Sequence, residues 1–549
     1  MTAPADESQS SESTANLPPW ATAALLIAVV TLIARVLGLI RFAVLSRTVG
    51  TGCLGDIYAT ANAVPNIVYE VVVGGAFVAL VVPLVAGVGE KEPGKVRATV
   101  AALHGWALVL LVPITVLMYV ASTLVIDVLL GAASGCPSNA SSVATDMLWV
   151  FLLQIPIYGA IVVAQGSLQA HHRFFAPAVA PAVSSLVVIA SYFVYDAMAG
   201  AHQGSLGELT TAEFWVLAGG TTLGVVALLL VQLPALARAK LIVKPSLTFP
   251  DGRARHAWTL AWSGGVVVAS QWVAYAAAIR WSNVYGDQGS ALVFVISWTL
   301  FLVPWAILAL PIATSTFPRL SVLHARHDRV GAATITASSL RTVVVASAAG
   351  AAGVAAAAQP LAIVLVQGSP GSDDAVPQLA AILLALAPGV LAYGVHGHLV
   401  RVLAAGHHAP MAAAATVVGW VVGLAVAWAA VRSADDTIQV ARGIGLGFSA
   451  GLIVAALILV AVVAKVDGRA ALHRVPVITL VAGAVALAVA GLGYLVLHGE
   501  EASVTLALLQ TLVVGLISVF VVGSSALMVD PASARALLRV TSRFSGPST

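Results

Sequence analysis

The chain has 549 residues, of which 60% are hydrophobic and 9% charged, with a net charge of +3 and a mean hydropathy of +0.99. Soluble domains carry roughly a quarter charged residues, so the composition excludes a soluble enzyme or a nucleic-acid-binding domain. It describes a polytopic helical membrane protein.

Residues 1–19, rich in Ser, Thr, Ala and acidic groups, lack the basic start of a secretory signal and are expected to form a disordered cytoplasmic tail. Apolar runs of about 20 residues, each enough for a hydrocarbon core of roughly 30 Å, then follow one another. They lie near 20–46, 56–88, 98–130, 143–170, 176–196, 213–237, 256–285, 290–317, 333–366, 378–403, 410–431, 440–464, 474–497 and 503–529. The expected fold is all-α, a polytopic membrane protein with 14 transmembrane helices. Several runs are longer than a crossing needs, which implies tilt, breaks or projecting ends, and Pro65, Pro156 and Pro304 support breaks.

The basic residues give an independent test, because short cytoplasmic loops collect Lys and Arg. Of the 26 Lys and Arg, Arg35, Arg41, Arg280 and Arg341 fall inside spans and Arg47, Arg432 and Arg442 on one face; all the others fall on the opposite face or in the C-terminal tail. That face is expected to be cytoplasmic, with both termini on it. The other face is acidic, with Asp127, Asp196, Glu208, Asp287, Asp373, Asp374, Asp435, Asp436, Glu500 and Glu501. Cys53 and Cys136 map to this outer face, where a disulfide and two free thiols are both compatible with the spacing. No Cys/His pattern points to a metal site.

The chain echoes itself at a separation of about 236 residues, a pattern found in transporters. Val49-Gly50 matches Tyr285-Gly286, Val64-Pro65 matches Val303-Pro304, and the His171-His172 segment before Ala176-Pro177 matches His407-His408-Ala409-Pro410. Two parallel six-helix repeats around a central cavity, plus two C-terminal helices, are the implied arrangement. The expected divisions are an N-terminal lobe at 20–245, a C-terminal lobe at 246–470, two further helices at 471–529 and a basic cytoplasmic tail at 530–549.

A charge near the bilayer centre costs at least about 2.5–3.5 kcal/mol and usually faces a cavity, a partner or a substrate. Arg35 and Arg41 are six residues apart, about 9 Å along a helix and about 120° around it, so both can line one broad cavity. Guanidinium groups suit phosphate oxygens, which favours a phosphorylated or pyrophosphorylated ligand. Pairing of Arg35 with Glu70 and snorkelling of Arg41 to the interface are the structural alternatives. Arg280 is divided between cavity lining and snorkelling, and Arg341 is expected to anchor its helix. Glu70, just past Pro65 and Asn66, reads as a counter-ion, a protonatable coupling site or a neutral core acid. Asp56 heads span 2, where a helix dipole favours a carboxylate. His396 and His398 are expected to pack helices. Gly74-Gly75 permit close approach or hinging, as Pro65 and Pro304 permit breaks. No catalytic constellation, cofactor motif or nucleotide-binding loop is visible.

Arg35-Val36-Leu37-Gly38-Leu39-Ile40-Arg41, Gly50, Asp56, Ala61-Asn62-Ala63-Val64-Pro65-Asn66 and Gly75-Ala76-Phe77 through Val82-Pro83-Leu84 resemble the N-terminal signature of the MurJ/MviN family. These are bacterial lipid II flippases of the multidrug/oligosaccharidyl-lipid/polysaccharide exporter superfamily, and the wording here is closest to actinobacterial members. The resemblance implies two lobes around a cationic cavity, a lipid-tail groove formed by the helices at 471–529, and alternating access that carries undecaprenyl-pyrophosphate-linked peptidoglycan precursor outward. It implies a multi-pass protein of the bacterial cell membrane that is a transporter and not an enzyme. By position, Arg35, Arg41 and Asp56 match cavity and gate residues of the family. The chain departs from the pattern at Tyr69, Thr299 and Gly74, where the family carries charge, and Arg280 is the candidate replacement cation.

The expected substrate-binding residues are thus Arg35, Arg41 and Arg280; the gate or counter-ion residues are Asp56, Glu70 and Asn66; and the hinges are Pro65, Gly74, Gly75 and Pro304. A lipid-linked oligosaccharide pyrophosphate and the bilayer are the expected partners, with cell-wall synthesis proteins as candidate protein partners, no nucleic acid, and a monomeric state. No cofactor is expected and the coupling ion is left open. A cation-coupled drug exporter that requires Glu70, a non-transporting membrane scaffold for cell-wall enzymes, and, as a poorer fit, an intramembrane transferase are the competing readings.

Overall fold

The structure, a computed structural model, describes residues 19–71, 85, 92–131, 135–249, 254–371, 373–497 and 502–529. The tails expected at 1–19 and 530–549 lie outside these apart from Pro19, as do Gly74 and Gly75.

Regular structure among the described residues is helical throughout. The first half holds α1 (Pro19–Thr48), α2 (Cys53–Val68), α3 (Pro93–Val120), α4 (Ser122–Leu130), α5 (Ala140–Leu152), α6 (Gln154–Ala170), α7 (Phe175–Ala199), α8 (Thr211–Leu230) and α9 (Leu233–Arg238). The second half holds α10 (Ala254–Tyr285), α11 (Ser290–Pro304), a π-helical turn at Trp305–Ala309, α12 (Leu310–Ala325), α13 (Arg329–Ala356), α14 (Ala358–Val366), α15 (Ala375–Ala405), α16 (Ala409–Arg432) and α17 (Thr437–Val466). Two further helices follow, α18 (Val475–Leu497) and α19 (Val504–Val529).

Twelve helices among the described residues are long and apolar enough to cross a bilayer. The expected fourteen therefore stand at twelve by this measure. The second expected span runs into residues outside those described, and the seventh is α10, a continuous helix of 32 residues that carries Gln271, Arg280 and Asn283.

Local chemistry sets several helix starts. Thr210 and Glu213 form a reciprocal cap at α8, in which Thr210 Oγ1 accepts from the Glu213 amide at 3.3 Å and Glu213 Oε2 accepts from the Thr210 amide at 2.9 Å. Asp328 caps α13 and Asp436 caps α17 in the simpler single-bond manner. By contrast, α11 begins after Gly289, which has no side chain to offer. Its cap comes from elsewhere in the molecule.

The helices pack in two groups. In the first, α1 packs on α7, α2 on α5, α3 on α6, and α8 on α5, α6 and α7; in the second, α15 and α16 pack on α17, α13 on α15, and α10 on α16. We call these the first and second lobes. The pair α18 and α19 packs on α13 and on each other, and presents apolar side chains outward, with Leu487 and Phe520 both 75% exposed. Lobe-to-lobe packing runs through α2 with α11, α4 with α10, and α1 with α14.

The crossing of α16 and α17 is set by glycine. A Cβ on Gly447 would lie 2.6 Å from the Ala427 amide nitrogen, and one on Gly451 would lie 2.7 Å from the Gly419 carbonyl oxygen. Backbones this close exclude larger residues, as in other membrane helix pairs. Gly447→Val is expected to cost about 1–3 kcal/mol by overpacking, read as a lowered thermal midpoint of the detergent-solubilised protein. An unchanged midpoint would show that the crossing tolerates the extra volume.

Candidate functional site

A cavity of about 690 Å³ lies against the first lobe, walled by α1, α2, α6, α7 and α8 and backed by Thr299, Leu302 and Val303 of α11. On α1 its lining runs from Ile27 to Phe42. Both Arg35 and Arg41 line it, as their spacing on one helix allows. Arg41 sits 5.2 Å from the centre of the Phe42 ring. The remaining polar lining is uncharged: Thr31, Asn62, Asn66, Gln154, Tyr158, Gln169, Ser184, Ser185, Thr221 and Thr299. Several of these groups are oriented by hydrogen bonds within the first lobe. The Tyr158 hydroxyl donates to Asn66 Oδ1 at 3.1 Å, Asn66 Nδ2 donates to the Asn62 carbonyl at 2.7 Å, and Gln154 Nε2 donates to Thr222 Oγ1 at 3.0 Å.

The described ion pairs are Lys95–Glu92 and His202–Glu213, so among the described residues no carboxylate neutralises Arg35 or Arg41. Glu70 does not pair with Arg35. It lies in a π-turn at 69–71, just past Pro65, within electrostatic reach of Tyr158 of the first lobe and Tyr393 of the second. The neighbouring Tyr69 ring packs 4.5 Å from that of Tyr158.

Arg280 is not part of the cavity lining. Its guanidinium donates to the Val128 carbonyl at the end of α4, where the two lobes meet. The sequence expectation of a third cavity cation is corrected accordingly. The physical reason is geometric: Arg280 lies one turn before the end of α10, beside the exposed carbonyls that close a short helix.

The lobe junction is the second part of the site. Asp56 is buried, 3% exposed, and its two carboxylate oxygens accept from backbone amides of the other lobe: Oδ2 from Gly289 at 2.7 Å and Oδ1 from Leu292 at 3.0 Å. Asp56 thereby supplies, from α2, the N-terminal cap that α11 lacks. In the reverse direction, Asn283 Nδ2 donates to Thr60 Oγ1 at 3.0 Å and to the Leu129 carbonyl at 3.1 Å, and Gln288 Nε2 donates to the Gly135 carbonyl at 2.7 Å. Thr51 donates its amide to the Pro370 carbonyl at 2.8 Å, Arg47 donates to the Val364 carbonyl at 2.5 Å, and Ser46 donates to that of Leu365. Gly289, at φ +91°, is so close to Thr51 that a Cβ would lie 2.0 Å from its carbonyl oxygen. Cys53 and Cys136 are joined in a disulfide beside this junction.

Sequence reasoning missed Asn283 and Gln288 as junction donors and the amide and hydroxyl wall of the cavity. The i, i+3 spacing of Arg280 and Asn283 on one helix was the available signal. Arg401, one of the basic residues expected in the connections on the cytoplasmic face, lies inside α15 with its guanidinium 5.5 Å from the Trp305 ring centre. His396 and His398 pack helices, with Nε2 atoms 2.9 Å from Thr416 Oγ1 and Ser339 Oγ respectively. Arg341 donates to the His473 carbonyl at 3.0 Å, tying α13 to the segment before α18. A smaller cavity of about 240 Å³ at the far end of the second lobe gathers His324, His408, Arg329 and Asp467. Burial raises the Asp467 carboxyl above its ordinary value, and the positive charge of Arg329 opposes this.

A family profile described as lipid II flippase MurJ matches residues 45–521. The chain belongs to the lipid II flippase MurJ family. A probable lipid II flippase MurJ of Synechocystis sp. is 28% identical over 42% of this chain and 41% of its own length. One of Vibrio cholerae is 25% identical over 70% of this chain and 71% of its own. A solved structure of lipid II flippase MurJ in an inward closed conformation is similar in fold, with a TM-score of 0.68 and 18% identity over 92% of this chain and 99% of that one. An inward-facing multidrug resistance transporter of the MATE family shares the fold more distantly, with a TM-score of 0.59 and 15% identity over 83% of this chain.

Within this family fold the Asp56 cap predicts a measurable conformational effect. Charge-assisted hydrogen bonds contribute about 1.5–3 kcal/mol, enough to move a two-state equilibrium at least about tenfold. With spin labels on Gly207→Cys and Asp373→Cys, in loops of the two lobes at this junction, Asp56→Ala is expected to add a longer-distance population, and Asp56→Asn a smaller one. An unaltered distance distribution would mean that the cap does not hold the lobes together.

Proposed function

We propose that the chain is an alternating-access flippase that moves a lipid-linked oligosaccharide pyrophosphate, lipid II in the first instance, from the inner to the outer leaflet for cell-wall synthesis. The observation that carries this reading is the cavity itself. Two permanently charged guanidinium groups without a carboxylate partner among the described residues face a wall of amides and hydroxyls. A pyrophosphate supplies the missing negative charge, and a glycan–peptide headgroup supplies hydrogen-bonding partners for Asn62, Asn66, Gln154 and Tyr158.

The lobe junction faces the outside in this reading. Its loops carry Asp287, Asp373, Asp435 and Asp436, and Asp127 lies in the last turn of α4, whereas Arg173, Arg238, Lys240, Arg326, Arg329 and Lys465 lie toward the opposite end, which the positive-inside rule places in the cytoplasm with both termini. The conformation is then sealed outside, with the cavity ending one turn of α1 short of the junction. The apolar outer faces of α18 and α19 would accommodate the polyprenyl tail. Pro65 and Pro304, each followed by a π-turn, are the hinges on which α2 and α11 bend. A monomer contains the whole site. Counter-charge moving inward would reset the cycle, since one charge crossing 100 mV is worth about 2.3 kcal/mol.

The decisive experiment measures the outer-leaflet accessibility of labelled lipid II in proteoliposomes. Arg35→Gln and Arg41→Gln are each expected to lower transport about tenfold or more, the effect of losing one charge-assisted contact. Arg280→Gln is expected to leave substrate affinity unchanged and to alter only the lobe equilibrium. Full transport by the Arg35→Gln, Arg41→Gln double variant would overturn the binding assignment. Dye efflux that requires Glu70 would favour the exporter reading instead.

A further inference from the structure

The junction has a covalent component that neither the cavity nor the Asp56 cap accounts for. Three donors of the second lobe, Arg280, Asn283 and Gln288, all fall on carbonyls of one segment of the first lobe: Val128, Leu129 and Gly135. Val128 and Leu129 close α4, and Gly135 directly precedes Cys136. α4 continues α3 through Ala121 and is packed on α5 and α10, whereas Gly135 lies outside any helix, so the placement of its carbonyl depends on what holds the chain beside it. The contacts are close: a Cβ on Gly131 would lie 2.6 Å from Val284 Cγ2, and one on Gly135 would lie 3.0 Å from Gln288 Nε2.

Cys136 directly follows Gly135, and its disulfide partner Cys53 is the first residue of α2, one turn before Asp56. The disulfide therefore joins into one frame the two parts of the first lobe that grip the second: the carboxylate that caps α11 and the carbonyls that receive the α10 donors. It lies wholly within the first lobe and leaves the lobes free to separate. We infer that Cys53 and Cys136 are a positioning pair for the outer seal, and that cleaving their bond loosens the lobe junction while leaving the first lobe folded.

Cys53 is buried, but Cys136 is partly exposed on the loop, so a small reductant reaches the bond. A water-soluble phosphine cleaves it with full balance: the disulfide gains two electrons and two protons to give two thiols, and the phosphine is oxidised by taking oxygen from water. The inference depends on the flippase reading only for its consequence in transport, and its test uses no transport measurement.

Hydrogen exchange on the purified full-length protein, oxidised and phosphine-reduced, reads the junction through the amides of Thr51, Gly289 and Leu292, each of which donates across the lobes. Reduction is expected to speed exchange at these amides at least about fivefold, the scale of one net hydrogen bond, with the helical amides of α5 and α8 unchanged. Cys53→Ser, Cys136→Ser without reductant should reproduce the pattern and show no further response to phosphine. Unchanged exchange at the three amides after confirmed reduction would overturn the inference. Acceleration spread evenly through α5 to α8 would also overturn it, by making the disulfide a general staple of the first lobe. Because no transport is read, failure of the flippase reading would leave each of these outcomes unchanged.

Discussion

Two lobes meet by completing each other's helix ends. The carboxylate of Asp56 in α2 satisfies amides at the start of α11, and donors on α10 and its following turn satisfy carbonyls at the end of α4. Helix termini leave backbone groups without intrahelical partners, and in the membrane or at a buried junction each costs free energy unless it is bonded. Neither lobe can satisfy these groups from the loop sequences nearest them: Gly289 offers no side chain, and α4 ends at Leu130-Gly131. The joint is specific, because the partners are few and fixed. It is also separable, because water can replace every one of these bonds when the lobes part.

That balance suits a transporter. Beside the apolar packing of α2 on α11, the polar part of the junction consists of a few helix-end hydrogen bonds that water can take over as the lobes part. The cavity shows a similar economy of charge. Arg35 and Arg41 stand among amides and hydroxyls, of which Asn66, Gln154 and Tyr158 are oriented by bonds within the protein. Among the described residues no internal acid pairs with the two cations. A negatively charged ligand supplies the partner, through charge-assisted hydrogen bonds to the guanidinium groups.

Much of this was legible from residue order. Span periodicity, the alternation of basic loops and the recurrence of Val-Pro in spans 2 and 8 follow from bilayer thickness and charge placement, which leave a one-dimensional trace. Arg35 and Arg41 could be placed together because both lie on one helix, where spacing fixes direction. Arg280 could not. Whether it faced a cavity or a neighbouring helix end depended on α4, some 150 residues away in sequence and invisible to local pattern. The same holds for Asp56, whose position at the head of α2 suggested a cap for its own helix. Its bonds go instead to α11, whose missing N-cap at Gly289 was a vacancy that the sequence displayed without indicating its occupant. Arg401 was misplaced for the opposite reason: it sits near a loop in sequence, but α15 continues past it to Ala405 and Trp305 covers its guanidinium.

The repeat gives the junction its mechanical setting. The helix that supplies the cap and the helix that receives it occupy equivalent places in the two halves, and each is broken on the cavity side of the junction. In α2 the break is Pro65 and the π-turn at 69–71; in the second half it is Pro304 and the π-turn at Trp305–Ala309. Proline removes a backbone donor, and a π-turn widens the ladder by one residue, so bending is cheapest at these two points. The segments between junction and break are well packed, with Ile57, Tyr58, Leu292, Phe294 and Phe301 all fully buried. They would therefore move as rigid levers. Thr299, Leu302 and Val303, which back the cavity, lie on the lever of α11, and Asn62 lies on that of α2. Opening the seal would thus displace cavity residues directly, and a ligand that draws those residues inward would bear on the caps through the same two helices.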